Sequence, residues 1–144
     1  MRIDSHQHFW QFDPVRDAWI DDSMKILQRD FLPKDLAPIL KQKDFDGCVA
    51  VQADQSEKET EFLLSLAENN PFIKAVVGWV DLRADNLEDR LSYFSVNNRL
   101  KGIRHIVQAE AHDFMLNENF QKGIALLDSY NLTYDILVFP NQLP

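Results

Sequence analysis

Hydrophobic and polar positions along this chain of 144 residues change between two patterns. Short runs of small and β-branched apolar residues are typical of strands buried on both faces, and apolar residues at every third or fourth position are typical of amphipathic helices. The short runs predict five strands, at about residues 3–10, 48–53, 73–80, 102–108 and 133–138. The helical spacing predicts one helix between each pair of consecutive strands, at about residues 34–43, 57–69, 86–95 and 117–130.

Local signals support these boundaries. Pro33 stands near the first turn of the first predicted helix, where a missing amide hydrogen costs little, and Asp46-Gly47 ends that segment. Ser56 followed by Glu59 forms a capping-box pattern at the start of the second helix. The connection from about residue 9 to 32 is long for a compact domain, so we expect a structured loop with a functional role.

The alternation of strands and helices predicts an α/β fold with a parallel sheet and right-handed crossovers. An open doubly wound sheet and a TIM-like (β/α)8 barrel both fit this alternation. A nucleotide-binding open sheet would have a glycine-rich turn after the first strand, but Gln7, His8, Phe9 and Trp10 stand there. Polar residues at the ends of the predicted strands favour the barrel instead: His6 and His8, Gln52 and Asp54, Asp81, Gln108 and Asp135.

A complete barrel needs eight strands and typically about 250 residues. We therefore interpret residues 1–144 as a single domain that forms about the first five β/α units, the N-terminal part of a TIM-like (β/α)8 barrel. Open edges at the first and fifth strands are expected to be covered. These edges could be covered by further strands of a longer protein, or by another chain in an assembly such as a homo-oligomer.

The first strand carries the most distinctive candidate chemistry. Side chains alternate along a strand, so Asp4, His6 and His8 are expected on one face. Two neutral imidazoles on one face can hold a divalent metal or a substrate oxygen. Spacing alone does not separate this role from that of solvent-facing histidines near a terminus. Asp4 is a candidate for orienting one of the histidines.

The composition of the chain limits which binding partners and which cellular compartment we expect. The net charge is −8 and no run is rich in lysine or arginine, which argues against nucleic acid and against an anionic membrane surface. Cys48 is the only cysteine, lies in an apolar run and is predicted to be a buried thiol. The chain shows no basic-then-apolar leader and no apolar run near the roughly 20 residues of a membrane span, so we expect a cytoplasmic protein.

Several motifs occur together in a recognisable order. They are Asp4-Ser5-His6-Gln7-His8-Phe9-Trp10, Arg29-Asp30-Phe31-Leu32-Pro33, Val51-Gln52-Ala53, Val77-Gly78-Trp79-Val80-Asp81-Leu82, Gly102-Ile103-Arg104 and Phe139-Pro140-Asn141-Gln142-Leu143-Pro144. Together they resemble the amidohydrolase-related (amidohydrolase 2) family, and within it the lactonases that act on L-fucono- or L-rhamnono-lactone. The resemblance covers nearly the whole chain.

The resemblance implies a (β/α)8 barrel of the metal-dependent-hydrolase type, incomplete in residues 1–144, and a hydrolase that opens a sugar-acid lactone, a cyclic ester, by adding water. It matches His6 and His8 to the family's His-x-His on strand 1, the ligands of a divalent metal such as zinc, and Arg104 to its arginine on strand 4. Some lactonase members work without a metal, so both possibilities stay open. The family's later histidine and its strand-8 aspartate have no counterpart here, and the general base is therefore expected outside this chain.

These considerations give the candidate site. His6, His8 and Arg104 are the predicted catalytic residues, with His6 and His8 also the predicted metal ligands. Arg104 could equally form a structural salt bridge, and His105 is expected to be a packed histidine. The predicted substrate contacts, each of which could equally be scaffold, are Trp10, Gln52, Trp79 and Gln108.

The predicted partner is a small-molecule sugar lactone. Two alternatives stay open beside the lactonase. One is a metal-dependent amidohydrolase or decarboxylase on the same scaffold. The other is a catalytically incomplete fragment that associates with itself.

Overall fold

The computed structural model describes residues 1–143, and it bears out the alternation of strands and helices. Its strands are β1 (Ile3–Gln7), β2 (Gly47–Val51), β3 (Ile73–Gly78), β4 (Leu100–Ile106) and β5 (Thr133–Leu137). Its α-helices are α1 (Pro33–Gln42), α2 (Glu57–Asn69), α3 (Leu87–Ser95) and α4 (Glu118–Leu126). Short 3-10 turns lie at Asp22–Leu27, Val107–Ala109, Phe114–Leu116, Leu127–Tyr130 and Pro140–Gln142. Within residues 1–143, no helix has both the length and the apolar character needed to cross a membrane.

The bounds of all five strands differ from the prediction by one to three residues at one or both ends. β1 ends at Gln7 rather than at Trp10, because Trp10 leaves the sheet and pairs with Phe31 through two main-chain hydrogen bonds of 3.0 Å. β4 begins at Leu100, two residues before the predicted start at Gly102. The Trp10–Phe31 bridge closes the long loop at its base, so the loop is structured as expected.

The order of the strands decides between the two architectures. The sheet runs β1-β2-β3-β4-β5, and each strand pairs in parallel with the next. A doubly wound sheet reverses its order at a switch point, whereas a barrel adds each strand beside the last. The sheet here curls into a half-barrel of five β/α units, which confirms the predicted fold class.

The apolar core lies between the outer face of the sheet and the helices. Its fully buried side chains include Cys48, Ala50, Leu63, Val76, Leu91, Phe94, Ile103 and Phe120. Cys48 is a buried thiol, as predicted, and burial raises its pKa to about 12. A thiol in that state is a poor nucleophile, so Cys48 belongs to the packing of the core.

The opposite face of the sheet carries polar groups toward the interior of the curl. On β4, Arg104 points inward while its neighbours Ile103 and His105 pack on the helix side. The long loop after β1 covers the carboxyl ends of the strands on this side. Arg16 donates two hydrogen bonds of 2.7 Å to the Asp17 carboxylate and so holds the loop in shape.

Candidate active site

A cavity of about 660 Å³ opens at the carboxyl ends of the strands. Strand ends and the segments that follow them contribute His6, His8, Ala53, Asp54, Arg104, Ile106, Gln108 and Leu137. The long loop contributes Trp10, Arg16, Asp17, Trp19, Ile20 and Leu27, and helix α2 contributes Glu59. Ligand sites of (β/α)8 barrels lie at this end, and the volume suits a small organic molecule.

The two histidines of the first strand meet at the wall of this cavity. Their Nε2 atoms are 3.1 Å apart, and their rings are nearly perpendicular. The Nδ1–H of His8 donates a 2.9 Å hydrogen bond to the main-chain carbonyl of Val51, which leaves the lone pair on Nε2. Burial lowers the pKa of His8, the hydrogen bond to Val51 opposes this shift, and the neighbouring Arg104 and His6 lower the pKa further. His8 is therefore a neutral imidazole with its acceptor nitrogen turned toward His6.

Arg104 places a buried positive charge beside the histidine pair. Its side chain is 5% exposed, and its Nη1 lies 3.3 Å from Nε2 of His6. The Nε–H donates to Oε1 of Gln52 over 2.9 Å, and the Nη2–H donates to both oxygens of Gln52. Among residues 1–143, no carboxylate forms a salt bridge with Arg104. The guanidinium is thus oriented by an amide and keeps its full charge for the cavity.

The structure brings together five of the seven predicted site residues. His6, His8, Trp10, Arg104 and Gln108 all line the one cavity. The other two predicted substrate contacts, Gln52 and Trp79, lie outside its wall.

Gln52 is fully buried behind Arg104, where it orients the guanidinium. The indole of Trp79 donates to Nδ1 of His105 over 3.3 Å on the helix side of the sheet. His105 is packed, as expected: it is 3% exposed, stacks on Phe114 and contacts Glu110 through Nε2 at 2.8 Å.

Asp4 has a different partner from the one expected. Its carboxylate accepts a hydrogen bond from the main-chain N–H of His6 at 3.1 Å and another from the Gln7 side chain. It contacts neither imidazole ring through a hydrogen bond. Asp4 therefore fixes the main chain of β1 and acts on the histidine pair only through it.

Three charged residues of the long loop and helix α2 line the cavity but are not among the predicted site residues. Arg16, Asp17 and Glu59 all line the cavity. Glu59 was interpreted as one half of a capping box, but only the Ser56 half forms: Oγ of Ser56 accepts from the Glu59 N–H at 3.2 Å. The Glu59 carboxylate accepts instead from the N–H of Ala53 at 3.0 Å. One signal was available, because Glu59 continues the buried stripe of Leu63 and Ala67 at a spacing of four residues.

The histidine pair fits a divalent metal as two of its ligands. Zinc binds imidazole nitrogen at about 2.0–2.1 Å, so two nitrogens 3.1 Å apart can contact one ion. The Val51 carbonyl fixes the tautomer of His8 that a metal requires. Within residues 1–143, no group of three or more His, Cys, Asp or Glu side chains could hold a metal. Nε2 of His6 is also the atom that Arg104 approaches, so a metal at this nitrogen would have to displace that contact.

Five parallel strands added in order, with helices between them and polar side chains at their carboxyl ends, are the architecture of proteins built on (β/α)8 barrels. Residues 3–144 match the amidohydrolase family, and the chain belongs to that family. It is 42% identical over 146 residues to the L-fucono-1,5-lactonase of Burkholderia multivorans, covering 100% of this chain and 49% of that protein. It is 33% identical over 144 residues to the L-fucono-1,5-lactonase of Burkholderia ambifaria, covering 99% of this chain and 50% of that protein. The chain spans about half the length of the curated relatives it matches.

Comparison with solved structures agrees with the amidohydrolase family. A crystal structure of an amidohydrolase from Burkholderia multivorans with bound zinc has a TM-score of 0.94 and 42% identity, over 100% of this chain and 51% of that one. A probable 2-pyrone-4,6-dicarboxylic acid hydrolase from Acinetobacter baumannii has a TM-score of 0.69 at 15% identity, over 92% of this chain and 48% of that one. The second likeness shows the fold alone.

Proposed function

We propose that this chain carries the carbonyl-binding part of a lactonase site, at which water opens a sugar-acid 1,5-lactone. One observation carries the proposal: His6, His8 and Arg104 converge on a single cavity. They do so in a chain 42% identical to a protein named L-fucono-1,5-lactonase. The volume of about 660 Å³ accommodates a six-membered lactone with its hydroxyl substituents.

Arg104 is the proposed stabiliser of the reacting carbonyl. When water adds to the carbonyl carbon, negative charge develops on the carbonyl oxygen, and a fixed positive donor nearby lowers the barrier. Gln52 takes the hydrogen bonds of Nε and Nη2, so the guanidinium is held before the substrate arrives. Its Nη1 edge, beside His6, is the proposed donor toward the lactone.

The histidine pair is the proposed site for the attacking water. His8 is neutral and presents the lone pair of Nε2, which can accept a hydrogen bond from water and orient it. The water oxygen bonds to the carbonyl carbon, the ring C–O bond breaks, and the ring oxygen takes a proton to become a hydroxyl. The family resemblance assigns the general base to a later aspartate, so we propose that these residues bind and polarise the lactone rather than remove the proton.

His6 and His8 would be the residues of this chain that hold a divalent metal such as zinc. Bound there, the metal would act as a Lewis acid on the carbonyl oxygen. The Burkholderia multivorans crystal structure with bound zinc supports this part of the proposal.

Hydrolysis of L-fucono-1,5-lactone, followed by NMR against the spontaneous rate, tests the proposed activity. We expect the chain to exceed the spontaneous rate even without the general base, because Arg104 still stabilises the developing oxyanion, and we expect Arg104→Gln to lower kcat by about 100-fold, the usual effect of losing one such donor. His112→Asn is the matched control, because His112 is exposed and outside the cavity. A wild-type rate equal to the spontaneous rate would overturn the proposal, and a fully active Arg104→Gln variant would overturn the role of Arg104.

We also propose that the chain associates through the open edges of its sheet. Within residues 1–143, β1 pairs only with β2 and β5 pairs only with β4. Ile136 on β5 is 63% exposed and Phe139 just beyond it is 49% exposed. Free strand edges with exposed apolar side chains favour pairing with another chain. Association and the lactonase site are compatible, because the cavity opens at the ends of the strands.

A further inference from the structure

Glu59 places a buried carboxylate in the wall of the cavity. It stands in the first turn of α2 and is 6% exposed. The N–H of Ala53 donates to Oε1 over 3.0 Å. Among residues 1–143, no lysine or arginine lies within salt-bridge distance of this carboxylate. A carboxylate offers about four acceptor positions, so Glu59 keeps acceptor capacity after the hydrogen bond from Ala53 is made.

The surroundings of Glu59 differ from those of the histidine pair. Burial raises the pKa of Glu59, and the nearby negative charge of Asp54 raises it further, while the main-chain hydrogen bonds from Ala53 and Asp54 and the charge of Arg16 oppose the rise. The charged groups that act on His8 are Arg104 and His6. The cavity therefore has two chemically distinct sets of polar groups, one cationic and imidazole-rich, the other rich in carboxylates.

The structural contacts of Glu59 do not use its full acceptor capacity. Ser56 already caps the helix by accepting from the Glu59 N–H, and the main-chain hydrogen bonds from Ala53 and Asp54 occupy two of the roughly four acceptor positions of the carboxylate. Burying a charged carboxylate without an ion-pair partner costs stability. Residues that cost stability in this way are concentrated at functional sites.

We infer that Glu59 is a specificity-determining residue, whose carboxylate accepts hydrogen bonds from ring hydroxyl groups of the lactone. This inference rests on the proposed function, in which Arg104 and the histidine pair hold the ester group. Hydroxyl groups are donors, and an acceptor-only carboxylate in a desolvated wall binds them selectively. A site built to bond a hydroxyl rejects analogues that lack it, because its own polar group is then left unpaired.

Binding of unreactive lactams tests the inference without relying on hydrolysis. Trp10 and Trp19 line the cavity, so tryptophan fluorescence can report the titration. The two probes are a polyhydroxylated δ-lactam, the amide counterpart of a sugar-acid 1,5-lactone, and δ-valerolactam, which has the ring without hydroxyl groups. The proteins are the wild-type chain, Glu59→Gln, and Glu61→Gln as the matched control, because Glu61 lies on the same helix and is exposed.

We expect Glu59→Gln to raise the Kd of the hydroxylated lactam by about 10- to 100-fold, the usual effect of losing a hydrogen bond to a charged group. In the variant, the hydrogen bond from Ala53 occupies the single amide oxygen and leaves an NH2 donor toward the cavity. The Kd of δ-valerolactam should change by less than about twofold, and Glu61→Gln should bind both probes as the wild type does.

Equal weakening of both probes by Glu59→Gln, or no weakening of either, would overturn the role of Glu59. Those outcomes leave the proposed function standing. A wild-type chain that binds neither probe would overturn both the inference and the proposed function. A wild-type chain that binds the hydroxylated lactam but hydrolyses no lactone would overturn the proposed function alone.

Discussion

At the scale of single residues, the site combines groups that are costly to bury and that are held in fixed orientations. Arg104 is 5% exposed and has an amide rather than a carboxylate as its main partner. Gln52 satisfies its donors without neutralising its charge, so the cation can act on whatever enters the cavity. The same cation and the neighbouring His6 keep His8 neutral. The preorganised donors and the neutral acceptor are what carbonyl hydrolysis requires.

The titration of His8 follows from this arrangement. Because burial and the charge of Arg104 lower its pKa below the ordinary 6.5, the folded chain protonates His8 at a lower pH than the unfolded chain does. The contribution of His8 to the free energy of unfolding is therefore fully present above pH 6.5, and it is lost as the pH falls toward the pKa of His8 in the folded chain. Long-range ¹H–¹⁵N NMR of the imidazole rings should show His8 protonated on Nδ1 at neutral pH, with a midpoint below 6.5.

Arg104→Gln provides the comparison for that titration. Removing the guanidinium charge should move the His8 midpoint upward, toward its ordinary value. A wild-type midpoint at or above 6.5 would contradict the description of the pair. So would a neutral His8 that carries its proton on Nε2.

At the scale of secondary-structure elements, a hydroxyl group fixes helix α2 to the end of β3. Oγ1 of Thr60 donates to the Trp79 carbonyl at 2.7 Å and accepts from the Trp79 N–H at 2.8 Å. Gly78 allows this approach, since a Cβ there would lie 2.7 Å from Cγ2 of Thr60. The contact sets the position of the first turn of α2, and thereby the position of Glu59.

We expect Thr60→Val to lower the free energy of unfolding by about 2 kcal/mol, because it leaves two main-chain polar groups of Trp79 unpaired. Urea denaturation measures the change. Ser65→Ala, at an exposed position of the same helix, should stay within about 0.5 kcal/mol of the wild type. An equally small change for Thr60→Val would show that the hydroxyl does not anchor the helix.

The periodic pattern was sufficient to predict all five strands and all four helices, because each element buries a face of regular spacing. The same pattern contains no information on which residues of different segments contact each other. β1 ends early because Trp10 pairs with Phe31, more than 20 residues away. Glu59 accepts from the N–H of Ala53, at the start of the connection between β2 and α2, instead of from the expected capping partner. Trp79, predicted to lie within the third strand, comes just after it, and its indole reaches His105 outside the cavity.

At the scale of the whole molecule, the five parallel strands place the site at one end of a curved sheet, and within residues 1–143 β1 and β5 each pair with a strand on one side only. Residues from β1 and β4, which are not neighbours in the sheet, meet across the curl when Arg104 approaches His6. The site therefore depends on the curvature of the sheet as well as on the local motifs. No short sequence window contains that information.

The open edge of β5 gives a prediction at the same scale. Sedimentation velocity over a range of concentrations should show association of the wild-type chain, and Ile136→Lys should reduce it because a charge on an edge strand opposes pairing. Val96→Lys is the control: Val96 is 85% exposed at the end of α3, far from β5 in the chain. A wild-type chain that stays monomeric, or equal effects of the two variants, would exclude association through β5.

The most direct measurement for the central claim uses the four histidines of the chain as reporters. His6 and His8 line the cavity, while His105 is packed on the helix side of the sheet and His112 is exposed outside the cavity. Imidazole NMR signals are recorded while the polyhydroxylated δ-lactam is added. We expect the signals of His6 and His8 to shift with saturation and those of His105 and His112 to stay in place. Unchanged signals for His6 and His8, or shifts confined to the other two, would contradict the assignment of this cavity as the lactone site.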